Sequence, residues 1–139
     1  MRLGFLCCRR GNAVVELVIG LPILIMLGFG ALDYSYYCYA KNTLQAASRD
    51  GARQAILPSA TNASVTAAIQ ADLQAAGLGS SGYVITLSPA NMTGLPSGQA
   101  ITVTVSCSWA TMGLHALPTV MGGIGNGKQV VGVTVMHRE

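Results

Sequence analysis

Residues 13–32 read AVVELVIGLPILIMLGFGAL. A run of about 20 apolar residues is what a helix needs to cross roughly 30 Å of hydrocarbon. Its only charge is Glu16, Arg2, Arg9 and Arg10 precede it, and Asp33 closes it. The excess of arginine before the span places the N-terminus in the cytoplasm and the rest of the chain outside. Tyr34, Tyr36, Tyr37 and Tyr39 follow. Tyrosine suits a membrane–water boundary, where one end of the ring is wet. A cleaved secretory signal would have a shorter apolar core and a small-x-small cleavage site; tyrosines stand there instead. Cys7 and Cys8 precede the run, which is the wrong side for a lipoprotein signal.

The rest of the composition agrees with a membrane or an assembly. The chain has 139 residues, 51% hydrophobic and only 9% charged, where soluble domains carry about 25%. Mean hydropathy is +0.49. The net charge of +3 comes from the three arginines before Gly11; the remaining basic residues balance the five acids. With no basic stripe and no interleaved aromatics, nucleic-acid binding is set aside. His115 and His137 are the only histidines, and neither has a ligand spacing to Cys, Asp or another His. Asp72 and Glu139 are too few for a paired-carboxylate site, and no nucleophile-elbow, P-loop or dinucleotide fingerprint occurs. Ser80-Ser81, between glycines, reads as a turn. The sequence therefore predicts no enzyme, metal, cofactor or small-molecule substrate.

Glu16 needs a reason, because a carboxylate inside an apolar span is costly unless paired or protonated. One reading is that it lies shallow and reaches the cytoplasmic interface. The other follows from Gly11-Asn12-Ala13-Val14-Val15-Glu16: a glycine preceded by arginines, a glutamate five positions on, then the apolar helix. This arrangement resembles the processing site of type IV prepilins. The resemblance implies a leader over residues 1–11, cleavage after Gly11 by a membrane prepilin peptidase, and a mature chain beginning at Asn12. The small Gly11 lets backbone enter a protease cleft. The new ammonium on Asn12, of the same or a neighbouring subunit, would neutralise Glu16 and favour register more than raw stability. Asn12 departs from the aromatic residue that many pilins place first, and Leu17 from the tyrosine that follows the glutamate in Flp-type pilins.

Beyond the span, Tyr37, Ala40, Leu44, Ala47 and Gly51 form one apolar stripe at near-heptad spacing. The helix is therefore expected to run unbroken to about Ile56, before Pro58, with Gly20 and Pro22 as candidate kinks. Gly51, inside it, implies a close helix contact or a bend. Arg49 and Arg53 read as a solvated face, and Asp50 and Arg53 as an i, i+3 pair. Arg10-Gly11, Val15-Glu16, Leu21-Pro22, Asp33, Tyr39-Ala40, Leu44-Gln45-Ala46-Ala47 and Arg49-Asp50-Gly51-Ala52-Arg53 together resemble the TadE-like family, pilin-like proteins of the tight-adherence (Tad, or Flp) pilus system. The resemblance implies a role in assembling or initiating such a pilus, with other pilins and the Tad inner-membrane machinery as partners. It places the chain as a single pass in a bacterial inner membrane. An unprocessed single-pass scaffold of the same apparatus is the alternative.

The expected fold class is α+β: a long N-terminal transmembrane, pilin-like helix over residues 12–56 and a small outer domain over residues 57–139. Thr61-Asn62 caps a second helix over residues 63–76, closed by Gly77, with Val65, Ala68, Ile69, Leu73 and Ala76 as its apolar face. Residues 83–88, 100–109 and 129–137 read as strands of an antiparallel meander with one face on the two helices. The apolar link over residues 110–121 fits a short helix, a membrane-surface segment or a partner contact. Cys38 and Cys107 are either an exported disulfide or two half-buried free thiols.

Overall fold

The computed structural model describes residues 10–115 and 123–138. Helix α1, Arg10–Ala55, is one helix of 46 residues, about 69 Å long at 1.5 Å per residue. It runs unbroken through Gly20 and Pro22. Helix α2, Asn62–Ala75, is opened by the side chain of Thr61, which accepts from the Ser64 N–H while the Ser64 hydroxyl accepts from the Thr61 N–H. This reciprocal capping satisfies two donors that a helix start leaves free. Gly77 closes it with φ of 73°, a left-handed conformation that glycine adopts without strain. Strands β1 (Val84–Ser88), β2 (Ala100–Ser108) and β3 (Gln129–His137) form an antiparallel sheet in the order β1-β2-β3. Between β2 and β3, α3 (Trp109–Met112) is a single turn. Trp109 opens α3 instead of ending β2, because the Ser108 side chain accepts from the Ala110 N–H and caps the turn.

The inner face of the sheet packs chiefly on α1. In β2 every second residue, Ile101, Val103, Val105 and Cys107, is buried, as its alternation predicts. Ala40, Leu44, Ala47 and Gly51 of the predicted stripe are buried, Leu44 against Gly132 of β3 and Gly51 against Val103 of β2. Helix α2 lies antiparallel to α1 and comes near the sheet over Gly51, where Ile69 and Val103 both come within contact of the missing side chain. Gly51 thus marks a close contact, one of the two explanations its position allowed.

Strand β3 runs parallel to α1 along its flank. At Gly132 the two backbones nearly touch: a Cβ there would stand 2.5 Å from the Leu44 carbonyl. One residue on, the Gln45 amide donates to the Val133 carbonyl at 2.8 Å and accepts from the Val133 N–H at 3.3 Å. A side chain thus supplies what a fourth strand would. Ser48, fully buried, shares a hydrogen bond of 2.8 Å with Thr134. At the far end Arg138, only 8% exposed, donates to the carbonyls of Met92 and Pro58 at 3.1 and 2.9 Å. It ties the C-terminal strand to the turn between α1 and α2.

The seam between α1 and α2 is lined by Thr43, Ala46, Ala47, Asp50, Asp72, Ala75 and Ala76. Asp50 accepts from Arg53 at 3.2 Å, an exposed pair worth a few tenths of a kcal/mol. Asp72 is part-buried, and its Oδ2 has no hydrogen-bond partner among the described residues. Burial raises the Asp72 carboxyl above its ordinary value of 3.8, and repulsion from Asp50 adds to this.

Two expectations follow from this packing. Gly132→Ala should destabilise the protein by about 2 kcal/mol or more, because the obstructing atoms are backbone. Gly51→Ala should stay within about 1 kcal/mol of wild type, since the side chain of Ile69 can move and alanine favours the helix. Denaturant unfolding in detergent, followed by circular dichroism, checks both; equal losses would contradict the distinction. The raised Asp72 favours the protonated form in the fold, so its contribution is complete below pH 3.8 and declines as pH rises above it. Asp72→Asn should therefore melt higher than wild type at pH 7, the gap closing as pH falls through 3.8. A mutant that melts lower at neutral pH would refute the assignment.

Candidate functional site: the uncovered half of the long helix

The two halves of α1 meet different surroundings. Before Asp33 nothing in the described structure covers it: Val14, Leu17, Leu24 and Leu27 are 63%, 65%, 67% and 67% exposed. The window that qualifies this helix as a membrane span has mean hydropathy 2.3 and is 0% buried. At Asp33 exposure drops to 2% and at Ala40 to 0%. The transition falls where the apolar run ends. The helix is long and apolar enough to cross a membrane, which suggests a single-pass membrane protein.

The uncovered half is notched. One shallow groove is lined by Ala13, Glu16, Leu17, Gly20, Leu21 and Leu24, and a second by Ile25, Gly28, Phe29 and Leu32. Gly20 and Gly28 form the notches, since a Cβ at either would meet nothing within 4 Å. Small residues on an apolar helix let a second helix approach closely. In the sequence Gly20 read only as a candidate kink, and Gly28 did not stand out.

Glu16 stands on the wall of the first groove and makes no ion pair among the described residues. The Gly11–Asn12 peptide bond lies in the first turn of α1. There the N–H groups have no partners within the helix, so local opening is cheap. Glu16 follows Asn12 by four residues, one turn along the helix. The carboxylate and the backbone nitrogen of residue 12 are therefore neighbours along one helix. Most of the expected leader, residues 1–9, lies outside the described residues.

The other singled-out residues have different places. Cys38 is half-buried and Cys107 buried, and both are free. The disulfide reading is not met: the Cys107 thiol donates to the Ser81 carbonyl at 3.0 Å and the two sulfurs are not bridged. Ser81 is buried, its hydroxyl on the Leu78 carbonyl at 2.7 Å, so it builds a turn, as read. Three of the four tyrosines fasten α1 to the domain rather than only marking a boundary. The rings of Tyr36 and Tyr37 lie 6.0 and 5.6 Å from Trp109, and Tyr39 donates to the Ala76 carbonyl at 3.0 Å. Tyr34 is 66% exposed. His115 follows α3 and His137 ends β3 at the opposite end of the domain. Among the described residues no three His, Cys, Asp or Glu side chains gather where a metal could bind. Of the apolar link, residues 116–121 lie outside the described residues.

No curated protein and no solved structure matches the chain. A family model does match, over residues 11–53, and its description is TadE-like protein. The match begins at Gly11, contains Glu16 and both notches, and ends at Arg53. Over the long apolar helix and its junction with the outer domain, this chain is therefore similar to the TadE-like family.

Proposed function

We propose that the protein is a minor, pilin-like component that helps assemble or initiate a Tad-type pilus, and that a prepilin peptidase matures it by cutting after Gly11. The observation that carries this is the division of α1: an upper half locked to a folded domain, and a lower half apolar, notched and uncovered. A plain anchor needs only length and hydropathy. Notches at Gly20, beside Glu16, and at Gly28 further along suit lateral packing against other helices in the membrane or in a filament. The match over residues 11–53 supports a link to pilus machinery, and it spans the segment on which processing and packing would act.

In this proposal the chain sits in the inner membrane with Arg9 and Arg10 in the cytoplasm and the outer domain on the far side. Cleavage would free the ammonium of Asn12 one turn from Glu16, in its own chain or a neighbour's. A charge pair in a dry groove is costly to break, about 3–5 kcal/mol when one partner is lost. It would thus select one axial register among the many that a smooth apolar helix allows. No catalysis is involved; the partners are the peptidase, other pilins and the inner-membrane machinery.

N-terminal sequencing of the membrane-extracted protein should give Asn12 as the first residue, and Met1 would refute processing. Gly11→Leu should retain the leader and migrate more slowly than wild type. Glu16→Ala should insert normally yet lower pilus yield by about tenfold or more, as loss of a buried partner implies. Normal piliation of that mutant would remove the registry role.

A further inference from the structure

The membrane-facing end of the outer domain has a chemistry of its own. Helix α2 descends along α1 until the Ala76 carbonyl meets the Tyr39 hydroxyl. Strand β2 descends to Trp109, whose ring meets Tyr36 and Tyr37 and whose backbone N–H donates to the Lys128 carbonyl at 2.9 Å. The connections over residues 77–82, 109–115 and 123–128 therefore sit level with residues 33–39, the first turns of α1 beyond the apolar run. These described segments contain no Asp or Glu except Asp33, which is 2% exposed. They present Lys128, exposed, together with Leu114 at 56% and Tyr34 at 66% exposure. Lys41, also exposed, stands two turns above Asp33, and helical side chains lean toward the N-terminus. The exposed carboxylate of Asp50 lies far above, about 25 Å from Asp33 along the helix.

We infer that this end of the domain docks on the headgroup surface of an anionic bilayer, with Lys128 and Lys41 meeting phosphate and Leu114 and Tyr34 entering the interface. The inference rests on α1 being a membrane helix. The occupant follows from continuity, since a span ending at Leu32 holds this surface against headgroups, and from charge complementarity. Attraction to anionic lipid fades within a Debye length, so charges near this level are felt most; among the described residues the nearest acid above it, Asp72, is part-buried in the seam beside Thr43. Docking would hold the domain upright over its anchor.

Trp109 is the only tryptophan and lies at this end, which makes it the probe. The full-length protein is reconstituted in phosphatidylcholine vesicles, with or without phosphatidylglycerol, each carrying the same headgroup-nitroxide phosphatidylcholine. Quenching of Trp109 should be about twofold stronger with the anionic lipid. Lys128→Glu should abolish the difference, and Leu114→Ser should lower quenching in both vesicles. Quenching that ignores lipid charge and both substitutions overturns the docking, including the case in which the surface is kept for a protein partner. Carbonate-resistant flotation of the same vesicles reads the anchor separately. Its loss would sink the membrane-helix reading, whereas flotation with charge-blind quenching sinks the docking alone.

Discussion

The contact between Gly132 and the backbone of Leu44 and Gln45 is the constraint on which the arrangement of this molecule depends. Backbone approaches this close are possible only where a side chain is missing. Once made, the approach brings the Gln45 amide against the edge of β3, where it both donates to and accepts from Val133. Those two hydrogen bonds, with Ser48 on Thr134, fix the axial register of strand on helix. A slip of one residue along β3 would move it by about 3.3 Å. It would break all three bonds and turn the strand's exposed valines inward. Because α1 continues without a break into the apolar half, the same register fixes the outer domain relative to the span.

That coupling gives the uncovered half of α1 its meaning. Side chains from Val14 to Leu32 are as exposed as a lone helix allows. In water such a surface would be driven to association, since each buried methylene is worth about 0.8 kcal/mol. In hydrocarbon the apolar drive vanishes, and only packing and polar pairing distinguish one neighbour from another. The lower helix offers both in small amounts: two glycine notches and one carboxylate. A helix meant only to anchor has no use for the carboxylate. One meant to pack in a defined register needs a discriminating group, and a single acid that gains its counter-ion on assembly is such a group.

The parts of this design that repeat along the chain were legible in the sequence, and those that do not were hidden. The stripe of Tyr37, Ala40, Leu44, Ala47 and Gly51 and the alternation of β2 announce their faces, because burial follows the periods of helix and strand. The Thr61 cap and the Gly77 stop have local signatures. Gln45, Ser48 and Arg138 have none. Their partners lie 88, 86 and 80 or fewer residues away, and as single polar residues they read as solvent-facing. That α1 takes most of the sheet and α2 only a part was hidden for a related reason. Amphipathicity shows that α2 has an apolar face, not that α1 already occupies the ground. At the candidate site Glu16 drew attention because a charge in an oily run is conspicuous. The notches did not, since a glycine in an apolar helix reads equally as kink or contact.

The scarcity of charge fits this picture when the sheet edges are considered. Sheets commonly guard an edge with lysine, proline or brevity. The outer face here carries Val84, Thr86, Val131, Val133 and Val135 around the Ser and Thr residues of β2, with no charged side chain. Strand β3 is guarded instead by α1, whose Gln45 closes the edge at its centre. Strand β1 is guarded by brevity, five residues ended by Pro89. Geometry does the work that charge does elsewhere. Each guard depends on the position of α1 or on the chain's own turns, so it persists wherever the outer domain stays seated on the helix. The few charges left over are then free for other tasks: Arg138 for the far end, Glu16 for the span. In a chain that is 9% charged, a carboxylate among leucines is therefore hard to explain as incidental.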